Sequence, residues 1–328
     1  MIWLTWRQFR AQAAAMVVPL AAFAAVLAIT GTQLRDEYDR DGADFLPQLS
    51  GANSSLYLIG ALAVMVVPAI IGMFWGAPLI TRELDAGTHR LVWSQSVTRI
   101  CWLVIKLGLT GLAAMTVAGI LSLAVAWWAS PIDTAADATS VLAGFYFPRL
   151  SPVIFDARGV APLGHAAFAF IVGVTMGVLV RRTLPAMILS LAVFLAVQIA
   201  MPIWVRPALV TPEQVTTPIT AENLRRWDGE RVHLTLDQPG AWVTAQQTVN
   251  AAGQPVAAPS WVTDCLGQGA AQRACVNKLD QLGYQQLVSY QPADRFWTIQ
   301  WLELAIYLAL AAALAGFCAW LLLRKERI

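Results

Sequence analysis

Six long apolar stretches set the rhythm of this chain. They occupy residues 13–31, 56–80, 101–130, 161–180, 184–204 and 298–323. A helix needs about 20 mostly apolar residues to cross the hydrocarbon of a bilayer, so all six are expected to span it. The third is longer than required, which predicts tilt or extension beyond the lipid. Only Arg181, Arg182 and Thr183 separate the fourth from the fifth, so those two form a tight helical hairpin. Ahead of the first, Ile2, Trp3, Trp6, Phe9 and Ala13 recur at helical spacing, with Arg7, Gln8, Arg10 and Gln12 interleaved. That pattern predicts an interfacial amphipathic helix over 1–12. The one long polar segment, 205–297, holds Pro207, Pro212, Pro218, Pro239, Pro255 and Pro259 and is expected to be a small extracellular domain. Within it 232–236 alternates like a strand with 242–249 as its partner, and 272–288 reads as a helix. The expected fold is an all-α polytopic membrane protein with six transmembrane helices. Its parts are the interfacial helix 1–12, the helical block 13–204, the domain 205–297, and the last crossing with its tail, 298–328.

Composition sharpens this picture. Of 328 residues 58% are hydrophobic and 13% charged, and mean hydropathy is +0.59. Soluble domains carry roughly 45–50% apolar and about 25% charged residues. A soluble enzyme, a secreted disulfide scaffold and a disordered chain are thereby excluded. A net charge of +2 gives no reason to expect nucleic acid. Basic residues choose the orientation. Arg7, Arg10, Arg82, Arg90, Arg99, Lys106, Arg181, Arg182, Arg324, Lys325 and Arg327 fall on one side and outweigh Arg35, Arg40, Arg149 and Arg158 on the other. Both termini are expected in the cytoplasm. The first apolar run exceeds a signal-peptide core and lacks a good cleavage site, so it is expected to be retained.

Catalytic chemistry is hard to find. No G-x-x-x-x-G-K-[ST], H-E-x-x-H or G-x-S-x-G occurs, so the chain is not expected to bind ATP or to be an enzyme by itself. His89, His165 and His233 fall in three different regions and are not expected to meet at a metal. No catalytic residue and no resident cofactor is expected. Two ionisable groups lie marginally inside the lipid. Lys106 is close enough to the cytoplasmic end of its helix to snorkel. Glu303, beside Trp297 and Trp301, reads either as solvated at the interface or as a carboxylate facing a vestibule that attracts a cationic or polar substrate. No run of buried charges suggests a proton relay. Cys265 and Cys275 lie on the side assigned as oxidising, and a disulfide between them is expected, worth about 2–3 kcal/mol. Cys101 and Cys318 read as apolar fillers. Gly72-x-x-x-Gly76 and Gly173-x-x-x-Gly177 put small residues on one helix face and argue for close packing.

The connection between the second and third crossings is the informative segment. From Trp75 to Arg99 it is dense in charge yet keeps Leu84, Leu91, Val92 and Trp93. A short amphipathic helix with a break at Gly87-Thr88 fits it, as though a partner docks there. Here the sequence resembles the membrane subunits of ABC-2 type exporters, which carry E-x-x-x-G-T after the second membrane helix. A basic residue, a hydrophobic patch and a Ser/Thr-Arg then follow before the third. Glu83, Gly87, Thr88, Arg90 and Arg99 stand at those positions. The C-terminal stretch 290–303 looks like the actinobacterial branch of such permeases. The resemblance covers the whole chain in layout, with degenerate motifs, and 205–297 is larger than the family's usual cap.

The resemblance implies a half-transporter. A second copy or a sister permease would complete the pathway, and separate ATPase subunits would supply ATP and magnesium. Arg82, Glu83, Asp85, Gly87, Thr88, His89 and Arg90, within a coupling segment 81–100, would lie in a cleft of the ATPase. The cargo it implies is an amphipathic compound such as a drug, antibiotic, lipid or peptide. A non-transporting receptor or assembly protein with a ligand-binding ectodomain is the alternative reading.

Overall fold

The computed structural model describes residues 2–85, 99–138, 147–220, 223–227, 232–234, 236, 238–257, 259, 261 and 270–324. Gly87, Thr88, His89, Arg90 and Cys265 lie outside these residues. The structure divides into two compact units. One holds 1–131, 152–206 and 297–328; the other holds 132–151 and 207–296.

The first unit is helical. Among the described residues, six helices are long and apolar enough to cross a membrane: Arg10–Asp41, Gly51–Thr81, Trp102–Asp137, Ala161–Val180, Thr183–Leu209 and Ala293–Leu321. The apolar blocks of the sequence fall inside or overlap these spans, because in lipid a backbone must satisfy its own hydrogen bonds and a helix does so within one segment. Helix α1, Ile2–Asp41, runs 40 residues without interruption. The segment expected as a separate interfacial helix, 1–12, is therefore continuous in backbone with the first span.

The second span is a rod in three pieces: α2 (Gly51–Ile71), a π-helical turn at Gly72–Gly76, and α3 (Ala77–Asp85). Pro68 lies one turn before the widened stretch, where a proline removes a backbone donor. The third span belongs to α4, Arg99–Ala138, which carries Pro131 inside it. A short helix α5, Pro152–Asp156, leads into α6, Ala161–Val180. Nearly every residue of α6 is buried, as an all-round apolar helix should be at the centre of a bundle.

Arg181 ends α6 in a left-handed conformation, φ 58°, with its N–H on the carbonyl of Gly177. Then α7, Thr183–Ala200, returns alongside, so the predicted hairpin is present. A second π turn, Met201–Val205, joins α7 to the single-turn α8, Arg206–Leu209.

Two glycine pairs weld the second span to α6. A Cβ on Gly72 would stand 2.6 Å from the carbonyl oxygen of Ala169, and one on Gly76 2.3 Å from that of Phe170. From the other side, a Cβ on Gly173 would meet the Gly72 oxygen at 2.1 Å, and one on Gly177 the Ala77 oxygen at 2.7 Å. The two small-residue motifs of the sequence thus pack on each other within one chain, backbone against backbone. Next to this seam Ala69, Phe168, Ala169, Val172, Phe194, Met201 and Tyr307 form a buried core.

The second unit contains an antiparallel three-stranded sheet in the order β1–β5–β4, from Glu213–Pro218, Gln285–Gln291 and Trp242–Val249. A separate pair joins β2, Leu224–Trp227, to β3, Val232–Leu234. Helix α9, Ala270–Gln281, packs Val276 and Leu279 onto Ile219 and Leu234. Two expectations are corrected here. The strand at 232 pairs with β2, and β4 pairs with β5. The helix read over 272–288 stops at Gln281, because Gly283 at φ +73° turns the chain and sends 285–291 into the sheet. Cys275 is buried on α9. The final helix α10, Phe296–Arg324, carries the sixth span.

Candidate functional site

Three residues of α10 share one face: Gln300, Glu303 and Tyr307, each 0% exposed. Gln300 is tied to the corner between α5 and α6. Its Oε1 accepts from the N–H groups of Val160 (3.0 Å) and Ala161 (2.8 Å), and its Nε2 donates to the Phe155 carbonyl at 3.0 Å. A side chain thus satisfies two of the orphan donors that open α6. Gly159 makes room for this: its φ is +69° and a Cβ there would stand 2.8 Å from Oε1 of Gln300.

One turn further on, Glu303 faces Arg206. Nε of Arg206 donates to Oε2 at 2.8 Å and Nη2 to Oε1 at 2.9 Å, a bidentate pair. The same Nη2 donates to Oδ1 of Asp156, and Nη1 lies 3.4 Å from the Pro152 carbonyl. The guanidinium carbon sits 4.2 Å from the centre of the Phe155 ring. Arg206 reaches this position because the helix continues past the apolar run through the π turn at Met201–Val205.

His165, on the second turn of α6, completes the cluster. It is fully buried, its Nε2 lies 3.5 Å from Oε1 of Glu303, and neither ring nitrogen has a hydrogen-bond partner among the described residues. Its ring meets Tyr307 edge-on at 4.7 Å, and the Tyr307 hydroxyl donates to Oε1 of Gln198 at 3.2 Å. Burial pushes the Asp156 carboxyl above its ordinary range, against the downward pull of Arg206. One ligating atom each from Asp156, His165 and Glu303 falls within 4.8 Å of the others. Those donor types suit a divalent cation, but Arg206 already holds both oxygens of Glu303 and one of Asp156.

Within this chain Glu303 is buried and paired with Arg206 rather than lying at a solvated helix end. Sequence reading placed Glu303 close to the lipid boundary but missed its partners. Arg206 lies two residues past the apolar run, inside the polar segment, and the sequence around Asp156 carries no periodic pattern. The one signal available was the spacing of Gln300, Glu303 and Tyr307 along a single apolar helix.

The coupling residues are placed only in part. Arg82, Glu83 and Asp85 end the rod that begins at Gly51, and only their backbone is described. Lys106 is 5% exposed, and its ammonium lies 5.0 Å from the centre of the Trp102 ring, one turn nearer the start of α4.

A family model described as ABC-2 membrane transporter related matches residues 17–206, more than half of the chain. The match runs from the first span to Arg206. No curated protein and no solved structure matches the chain.

Proposed function

This chain belongs to the ABC-2 membrane transporter related family, and from that premise we propose that it is the permease half of an ATP-driven exporter. Membership and six apolar spans make it a multi-pass membrane transport component. In this reading two copies, or this chain and a sister permease, form the pathway. Separate ATPase subunits bind ATP and magnesium on the side of Arg82, Arg181 and Arg182, which is the cytoplasmic face of a bacterial plasma membrane and holds both termini. The cargo is an amphipathic or lipophilic compound, such as a drug, antibiotic or lipid.

One observation carries the proposal. The helix that ends in Arg82-Glu83-Leu84-Asp85 is the end of a rod reaching back to Gly51, and that rod is in backbone contact with α6 at Gly72, Gly76, Gly173 and Gly177. Backbones in contact leave no compressible side-chain layer, so a push on Glu83 moves two spans together. ATPase closure acting on 82–90 is the source of that push. The expected result is that Glu83→Ala and Gly87→Pro insert into the membrane normally but lose substrate-stimulated ATPase activity in proteoliposomes; full stimulation in both variants rejects the coupling role. A Cys265–Cys275 bridge on the far side belongs to the same orientation. Peptide mapping without reductant should recover the two cysteines linked, and two free thiols would count against it.

A further inference from the structure

The cluster around Arg206 carries a surplus of negative charge. Asp156 and Glu303 supply two carboxylates and Arg206 one guanidinium, and all three are between 0% and 3% exposed. An uncompensated charge in such surroundings is expensive, and buried groups respond by changing protonation. Among the described residues, three further ionisable groups lie near this surplus. From α6 comes His165, whose ring nitrogens have no hydrogen-bond partner among the described residues and whose Nε2 lies 3.5 Å from Oε1 of Glu303. From α10 comes Tyr307, whose hydroxyl is engaged with Gln198 of α7. Beyond α5, Arg158 directs its guanidinium over Tyr57 of α2, 5.2 Å from the ring centre.

We propose that Asp156, His165, Glu303 and Arg206 form a binding site for one proton, shared between the imidazole and the carboxylates, which brings the cluster to zero net charge. The geometry supplies both a vacant basic nitrogen and the anion it faces. Burial acts on Asp156 in the same sense, favouring its protonated form. A proton suits the charge deficit better than a divalent metal. Two positive charges would overshoot to a net +1 and compete with the guanidinium for the same oxygens. The site joins α5, α6, α8 and α10, so loss of the proton leaves like charges facing each other across that junction and loosens it. This inference is independent of ATPase coupling.

The test uses the full chain in detergent micelles, with thermal unfolding followed by tryptophan fluorescence from about pH 6 to about pH 9 at fixed ionic strength. A proton held in the folded state and released on unfolding gives stability that is complete at low pH and lost as pH rises. The wild-type midpoint should therefore fall with rising pH. Asp156→Asn and Glu303→Gln each remove one negative charge and make the cluster neutral without a proton, so their profiles should be flatter. Profiles parallel to the wild type overturn the proposal. If neither variant accumulates, the wild-type infrared difference spectrum between the two pH limits decides. Loss of a protonated carboxyl or imidazolium band at high pH supports the site, and no such band overturns it. Stoichiometric zinc binding that raises the wild-type midpoint also overturns it, in favour of a metal.

Discussion

Arg206 shows how a single side chain can organise the end of a membrane bundle. It is fully buried, and its donors reach Glu303 on α10, Asp156 on α5 and the Pro152 carbonyl. Removing one partner of a buried ion pair leaves an uncompensated charge and typically costs about 3–5 kcal/mol, whereas an exposed arginine is close to neutral. Arg206→Met should therefore lower the unfolding midpoint in detergent well below that of Arg182→Met, the exposed control. Equal midpoints would mean that the pair contributes nothing to the fold. Little of this was legible in the sequence. Glu303 stood out because a carboxylate inside an apolar helix is costly, but nothing in the local pattern named Arg206 or Asp156. Their meeting depends on how α5 and α8 fold back onto α10, a long-range outcome with no short-range signal.

Among the elements, the glycine seam between the second span and α6 matters most. Its cause was visible beforehand: paired small residues four apart on each of two helices. Which helix each pair would face was not visible, since the same motif serves contacts within and between chains. A methyl at Gly173 would lie 2.1 Å from the Gly72 carbonyl, so Gly173→Ala forces the helices apart. Overpacking of this kind costs about 1–3 kcal/mol. In contrast, Gly108 on α4 has no atom of the described residues within 4 Å of its Cβ position. There Gly108→Ala should leave stability unchanged or raise it by up to about 1 kcal/mol through helix propensity. Unfolding midpoints of the two variants side by side check the seam, and equal effects would deny it. The π turns at Gly72–Gly76 and Met201–Val205 were not anticipated, because an extra residue in a helical turn leaves apolar composition unchanged. In the polar segment, composition separated strand from loop at 242–249. The boundary at 281–285 was missed, since Gly283 acts through a left-handed backbone that alternation does not encode.

On the scale of the whole molecule, hydrophobic block length alone set the number of spans. The bilayer imposes one dominant requirement on a chain of this composition, and the six observed helices answer it. Function was legible to a lesser degree. The segment around Glu83 resembled a docking element because it spends charge and bulky apolar residues on a connection that needs neither. The family match to 17–206 agrees with that resemblance and makes the chain a transport component. The proposed mechanism is mechanical: force enters at Glu83 and passes along the Gly51–Asp85 rod to α6.

The most direct measurement places a photo-reactive residue at position 83 of the full chain in its native membrane, with a matched residue at position 213 on β1 as control. Illumination at position 83 is predicted to yield one adduct whose peptides include a Walker A sequence, and position 213 none. Adducts at position 83 with lipid alone, or an ATPase captured from position 213 instead, would contradict the account.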